Sequence, residues 1–308
     1  MNSIDLSIII VSFNNKLVIK QCLESLYAVE IEVPYEIIVV DNASTDGSTE
    51  MIEAHYNKVF LIKNRENLMF AKANNQAIAV AQGKYLLLLN SDTIVQKGSI
   101  ERLVDFLSAH PKVAAVGPKV LNVDGTLQSK GFPLSPIRGK ILHSLNINKN
   151  IMPEKLKKII FAKYFWSAND FAQVGWISGC CMLLKKAVVE EIGGLCEEFF
   201  FYCEDVEWCY RAIKAKYEIW YVPTAVITHI GGSSTSKPVN NLLLLENYKL
   251  LCDKTIGVHK AIFASCIAIL IKSIRYLALY INNHNAKLLR MELKWEIDIL
   301  RYLVKKIF

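Results

Sequence analysis

Apolar residues in the first 235 positions follow two spacings. Unbroken apolar runs, rich in β-branched residues, read as buried strands over Leu6–Ser12, Glu36–Val40, Val59–Lys63, Tyr85–Leu89 and Val113–Val116. Between them, apolar residues recur every three or four positions. That spacing predicts helices over Leu17–Tyr27, from Asp46-Gly47-Ser48-Thr49-Glu50 onward, over Ala71–Ala81 up to Gly83, and over Ile100–Ala109 ahead of Pro111. Strands alternating with helices at this interval imply an α/β chain with a mainly parallel central sheet and helices on both faces. Ligands of such sheets sit beyond the carboxyl ends of the strands. Asp41 and Asp92 stand at two of those ends.

The pattern continues with an apolar run at Trp176–Lys185, followed by Ala187–Ile192 and the turn Gly193-Gly194. A helix over Glu204–Ala215 follows, and short strands at Ile219–Val222 and Ala225–Thr228 flank Pro223. Glu204, Asp205 and Glu207 crowd the first turn of that helix, where its dipole favours negative charge. After Gly231-Gly232-Ser233-Ser234 the pattern is helical to the end. We divide the chain into a catalytic domain over 1–235 and a helical tail over 236–308. The domain has a nucleotide-binding half, 1–125, and an acceptor half, 126–235, with an insert at 137–165.

Charge sharpens this division. Residues 1–235 hold 24 Lys and Arg against 24 Asp and Glu, whereas residues 236–308 hold 12 against 5, so the net +7 lies in the tail. The insert is basic too. Two basic segments on a neutral body suggest an anionic partner. The positive charge is interleaved with Ile and Leu rather than with stacking aromatics, which favours a membrane surface over nucleic acid. Ala261–Ile271 is only eleven uncharged residues, while a span needs about 20. On a helical wheel Lys260, Lys272 and Arg275 share a sector with Ala264, Ser265 and Ala268. Phe263, Cys266, Ile267, Ile269, Leu270, Ile274 and Leu277 fill the other side. This is the pattern of a basic amphipathic helix lying in an interface, or of one packed in a dimer. The eight cysteines show no Cys-x-x-Cys pair, and no secretory signal is read at the start. The expected location is cytoplasmic, peripheral at the inner face of the cytoplasmic membrane.

Three constellations carry chemistry. Asp41 opens Asp41-Asn42-Ala43-Ser44-Thr45-Asp46-Gly47-Ser48. It can accept from the N3–H of a pyrimidine, or it can simply cap a turn. Asp92 ends Asn90-Ser91-Asp92, where a carboxylate held at a strand end can bind Mg²⁺ or Mn²⁺, or cap the loop. Phe200-Phe201-Tyr202-Cys203-Glu204-Asp205-Val206-Glu207-Trp208 sets an acidic pair beside aromatics, with His229 further on. The pair suits a general base in a cleft; helix-terminal charge and a core histidine are the plainer accounts.

In their order and spacing these segments resemble the family 2 glycosyltransferases of the glycosyltransferase A fold, which is Rossmann-like, and in particular the rhamnosyltransferase branch. The resemblance covers about residues 6–232. It also runs through Ser7-Ile8-Ile9-Ile10-Val11-Ser12-Phe13-Asn14, Asn64-Arg65-Glu66-Asn67-Leu68-Met69-Phe70-Ala71, Asn74-Asn75 and Ser178-Gly179-Cys180. It implies that Val11, Ser12, Phe13, Asn14, Asn67 and Ser91 line the nucleotide site and that Asp41 reads a pyrimidine. Asp92 and His229 are then ligands of a divalent metal, Mg²⁺ or Mn²⁺. Asp205 is the catalytic base, with Glu204 beside it at the acceptor. The implied reaction is an inverting transfer from dTDP-rhamnose or a UDP-sugar to a glycan or lipid-linked acceptor in cell-surface polysaccharide synthesis. Two positions depart from the family: Asn90 replaces an Asp, leaving one carboxylate fewer for the metal, and Met69 replaces a Gly.

The rival classes lack their signatures. No Gly-x-Gly-x-x-Gly follows a strand, which excludes the dinucleotide fingerprint, and no Gly-x-x-x-x-Gly-Lys-[Ser/Thr] is present. The remaining alternative is a catalytically silent homologue that binds sugar nucleotide as a scaffold.

Overall fold

The computed structural model describes residues 4–129, 131, 144, 167–200, 202–231, 241–281 and 287–305. The basic insert at 137–165, apart from Ser144, therefore lies outside the described residues, as do Phe201 and residues 232–240. The chain forms two compact units, residues 1–132 with 166–239 and residues 133–165 with 240–308.

The first unit is built on one sheet. Its strands are β1 (Leu6–Ser12), β2 (Tyr35–Asp41), β3 (Val59–Lys63), β4 (Tyr85–Asn90), β5 (Thr93–Val95), β6 (Val113–Leu121), β7 (Leu127–Ser129), β8 (Ala172–Val174), β9 (Cys181–Lys185) and β10 (Glu218–His229). The order along the sheet is β3-β2-β1-β4-β9-β6-β10-β5, with β7 on β6 and β8 on β10. The expected parallel pairing holds for β3, β2, β1 and β4 and again for β6 with β10. Between these groups β9 runs antiparallel to both β4 and β6, so the second half of the sheet is mixed.

Helices α1 (Lys16–Ala28), α2 (Ser48–His55), α3 (Met69–Val80), α4 (Ser99–Ala109), α5 (Lys186–Ile192) and α6 (Glu204–Lys214) cover the sheet. Two apolar clusters fill its two faces, one around Ile8, Ile10, Leu23, Leu87 and Leu103, the other around Ile9, Ile38, Leu88, Leu184 and Trp208. The alternation of Ile8 and Ile10 with Ile9 follows from the two-residue period of a strand. It explains why β1 must be apolar throughout: both faces are covered.

Within the apolar run Trp176–Lys185, Cys181–Lys185 forms β9, while the Gly179 N–H bonds the Asp205 carboxylate at 2.9 Å. One sequence expectation is corrected. The segments on either side of Pro223 form one strand, β10, whose register with β6 slips between Val222 and Val226. Pro223 lacks the N–H that a regular ladder would use there.

The second unit contains α7 (Asn241–Lys254), α8 (Val258–Ile281) and α9 (Lys287–Lys305), packed through Cys252, Ala261, Ile299 and Leu303. None of the described helices is long and apolar enough to cross a membrane. The wheel of α8 sorts as expected, but the sector of small residues is the buried one, and Lys272 is buried with it. Ala261, Ala264, Ser265, Ala268 and Lys272 are buried, and Lys272 Nζ lies 3.5 Å from Glu296 and 3.7 Å from Glu292 on α9. Lys272 thus faces carboxylates inside the unit rather than an anionic surface. Phe263, Leu270, Ile274 and Leu277 point outward, each more than half exposed.

Candidate active site

The carboxyl ends of β1, β2 and β4 lie side by side. Ser12 is in register with Asp41, and Val11 with Asn90. The loops leaving these strands are stitched together by short side chains that bond backbone groups. The Asn14 N–H donates to Ser44 Oγ at 2.9 Å, the Thr45 N–H to Asn14 Oδ1 at 2.7 Å, and the Lys16 N–H to Asp46 Oδ2 at 2.8 Å. Asn14 and Ala43 take left-handed backbone conformations at φ 47° and 64° to make these contacts.

Asp41 is buried. Its Oδ2 accepts from the Ser44 N–H at 2.8 Å, while its Oδ1 has no hydrogen-bond partner among the described residues. A turn cap accounts for the first oxygen only. The second is a buried acceptor in want of a donor, an arrangement that costs stability unless a ligand supplies one.

Asn67 lies on the loop before α3. Its Oδ1 accepts from the Met69 N–H at 2.9 Å, and Asn42 Nδ2 donates to the Met69 carbonyl at 3.3 Å. Asn64, Asn42 and Gln76 tie this loop to β2 and α3. Ser91 is buried and accepts from Asn15 Nδ2 at 2.5 Å, so it braces the first loop against the Asn90–Asp92 turn. Phe13 is partly exposed beside these residues. Asn15 carries no signal in the sequence motifs; only its bond to Ser91 reveals it.

Asp92 and His229 meet where β10 ends beside β5. His229 is in register with Thr93, and its Nε2 stands 3.1 Å from Asp92 Oδ1. Asn90 Nδ2 is 3.4 Å from the same ring nitrogen, and His229 Nδ1 is 2.7 Å from Gln128 Oε1. Two ligands at right angles on an octahedral Mg²⁺, each about 2.1 Å from it, are about 3 Å apart. The Asp92–His229 pair fits that spacing. No group of three or more His, Cys, Asp or Glu side chains gathers as a metal site among the described residues. Two protein ligands, with the rest supplied by a diphosphate and water, suit Mg²⁺ or Mn²⁺ bound along with a nucleotide.

Asp205 sits at the start of α6. Its Oδ2 accepts from the Gly179 N–H at 2.9 Å and its Oδ1 from its neighbour Val206 N–H at 2.8 Å. The helix enters through Tyr202 and Cys203, consecutive left-handed residues at φ 73° and 78°. It is anchored by parts of the motif that do no chemistry. The buried Trp208 donates Nε1–H to the Gly193 carbonyl at 3.0 Å. Arg211 pairs with Glu207 at 2.8 Å and donates to the carbonyls of Ile192 and Gly194. Asn75 of α3 bonds both backbone groups of Leu195.

Glu204, expected beside the acceptor, is 7% exposed, and its Oε2 has no partner among the described residues. Burial, and then the Asp205 charge, pushes its carboxyl up to about 8. Burial also raises Asp205, against the pull of the Gly179 and Val206 amides. The two carboxyls are adjacent and both raised, so they titrate as a pair, and the Gly179 and Val206 amides favour the charged form of Asp205. The charges of Asp205 and Asp92 both reach the buried Cys180 thiol, which places the acidic pair and the Asp92 locus around one residue.

Asp41, the Asp92–His229 pair and Asp205 thus stand at strand and helix ends, where the ligands of α/β sheets bind. Residues 7–193 match the family model for glycosyl transferase family 2, and the chain belongs to that family. It is 28% identical over 258 residues to an N-acetylglucosaminyl-diphospho-decaprenol L-rhamnosyltransferase of Mycobacterium tuberculosis, covering 75% of this chain and 78% of that one. It is 25% identical over 254 residues to a low-salt glycan biosynthesis hexosyltransferase of Haloferax volcanii, covering 81% and 73%. Among solved structures, it resembles a mannosyltransferase from Pyrobaculum calidifontis in complex with GDP-Man and Mn²⁺, with a TM-score of 0.57, 17% identity and coverage of 98% of this chain and 87% of that one. It also resembles the 1–349 fragment of Staphylococcus aureus TarS with UDP-GlcNAc, at a TM-score of 0.54, 17% identity and coverage of 87% and 71%. The fold is the glycosyltransferase A fold, and the chain is a glycosyltransferase.

Proposed function

We propose that this chain moves a sugar from a pyrimidine nucleotide-sugar, dTDP-rhamnose or a UDP-sugar, to a hydroxyl of a glycan or lipid-linked glycan during cell-surface polysaccharide synthesis. The transfer inverts the anomeric centre and depends on Mg²⁺ or Mn²⁺. The observation that carries the donor reading is the partnerless, buried Oδ1 of Asp41. Its neighbour Oδ2 is already bonded to a backbone amide, so Oδ1 is free to accept the N3–H of uracil or thymine. The resemblance to a rhamnosyltransferase of lipid-linked substrates supports the deoxysugar donor and the acceptor class.

Asp205 removes the acceptor proton as that oxygen attacks the anomeric carbon, with Glu204 beside it at the acceptor. Asp92 and His229 Nε2 hold the divalent ion, and the loops bearing Asn14, Asn67 and Met69 orient the nucleotide. When bound, the ion supplies charge neutralisation for the departing diphosphate, which removes the need for a second acidic residue. The exposed Phe263, Leu270, Ile274 and Leu277 of α8, in a segment carrying the net positive charge, support peripheral attachment at the inner face of the cytoplasmic membrane, where lipid-linked acceptors lie.

Asp41→Ala tests the donor reading by calorimetry with UDP, dTDP and their sugar conjugates. Losing a charge-assisted bond in a buried site costs roughly 1.5–3 kcal/mol. The free nucleotide and the full donor should lose affinity by the same factor. Unequal losses place Asp41 at the sugar instead.

A further inference from the structure

The hairpin between β6 and β7 carries none of the motifs, yet its side chains form a one-way hydrogen-bond chain ending on His229. The turn is closed by the Gly125 N–H bonded to the Asn122 carbonyl at 2.9 Å, with Gly125 at φ 80°. Asp124 is the fixed end, since an ionised carboxylate only accepts. Its Oδ1 takes the Thr126 N–H at 2.9 Å and the Thr126 hydroxyl at 2.6 Å. With its proton given to Asp124, the Thr126 oxygen accepts from Asn122 Nδ2 at 2.9 Å. That orients the Asn122 amide, whose Oδ1 accepts from Gln128 Nε2 at 2.8 Å. The Gln128 amide is oriented in turn, and its Oε1 meets His229 Nδ1 at 2.7 Å. An amide oxygen only accepts, so Nδ1 carries a proton, and in the neutral ring Nε2 is then the acceptor. Nε2 stands 3.1 Å from Asp92 Oδ1. With the ring neutral, both atoms would offer lone pairs to a cation held between them.

We propose that Gln128 is a positioning residue of that site, which fixes His229 as the Nδ1–H tautomer and turns Nε2 toward the ion shared with Asp92. The inference rests on the metal reading above and adds to it a residue that contacts neither donor nor metal. Outer partners of metal-binding imidazoles orient the ring and commonly change metal affinity by about 10–100-fold. The exposed position of Gln128, where water competes for Nδ1, puts the expected effect at about tenfold, the low end of that range.

The test uses full-length protein with Gln128→Leu, which removes the acceptor, and Gln128→Glu, which keeps it. Mn²⁺ affinity is read by electron paramagnetic resonance, with and without UDP. The His229 tautomer is read from ring ¹⁵N shifts of the metal-free form at pH 8. Gln128→Leu should weaken Mn²⁺ binding about tenfold and move the proton toward Nε2, while Gln128→Glu binds at least as tightly as the parent. Parent-like affinity and tautomer in Gln128→Leu overturn the proposal. So do equal losses in both variants, which assign Gln128 to hairpin stability alone. His229→Ala separates this from the parent reading: if it too binds Mn²⁺ normally, the metal assignment itself falls.

Discussion

Burial raises the carboxyls of both Glu204 and Asp205, neighbours in sequence. Glu204 sits inside the protein with an unpartnered oxygen, whereas Asp205 has an amide on each oxygen. More hydrogen bonds to the charged form oppose the shift at Asp205 than at Glu204. Two outcomes are expected. Asp205→Asn should lower kcat by about 10²–10⁴-fold, the usual worth of a general base, with donor affinity unchanged by calorimetry. Glu204→Gln, which imitates the protonated acid, should keep most turnover at neutral pH. Its stability should also respond differently to pH. The folded Glu204 carboxyl is raised from 4.5 to about 8, so between those values the native state holds a proton that the unfolded chain has released. That contribution is complete below the unfolded value and is lost as pH rises through about 8. A tenfold difference in proton affinity between the folded and unfolded chain corresponds to about 1.4 kcal/mol, so Glu204→Gln should exceed the parent at pH 8.5 by a few kcal/mol and match it near pH 4.5. Urea unfolding at the two pH values measures this.

Helix α3 shows how an element keeps its entry when a residue departs from its family. Met69, the residue standing where Gly is expected, takes φ 63°, the left-handed conformation Gly adopts without cost. It is held there by the Asn67 bond to its N–H and the Asn42 bond to its carbonyl. Met69→Gly should therefore fold normally and gain up to about 1 kcal/mol, the strain relieved less the chain entropy of Gly. Met69→Val should lose at least that much, because β-branching is poorly tolerated at positive φ. Denaturant midpoints report both. The same element shows what was legible in the sequence. Strands β1 to β4 and helices α1 to α4 and α6 were readable to within a few residues, since each has one face or both in an apolar core and so must repeat its period. Strands β5, β7 and β8 were not, being three residues long and paired by backbone bonds that leave no periodic trace. Asp41, Asp92, Asp205 and His229 stood out through their strand and helix ends. Gln128 and Asn15 act through side-chain bonds to residues distant in sequence, His229 and Ser91, and nothing in a local pattern marks such a residue.

At the scale of the whole molecule, residues 1–235, which carry no net charge, share the chain with a basic helical segment that buries a charged residue in its interior. Lys272 faces Glu292 and Glu296, and the small residues Ala261, Ala264 and Ala268 let α8 approach its neighbours closely. The large apolar residues are left outside, the reverse of a helix that buries its stripe in its own core. Phe263 to Leu277 spans fourteen steps, about 21 Å at 1.5 Å per residue, enough for an apolar strip lying along a lipid interface. Exposed apolar residues alone attach weakly, as do basic residues alone; together they reinforce each other. Full-length protein should therefore float with vesicles containing phosphatidylglycerol, float poorly with neutral vesicles, and be released by high salt or carbonate without detergent, because screening shortens the reach of surface charge to a few ångströms near 1 M. Leu270→Glu with Ile274→Glu, both at outward positions, should abolish flotation while leaving UDP binding intact. If the parent stays at the bottom of the gradient and sediments as a dimer that the double variant dissolves, the stripe is covered by a second copy of the chain instead.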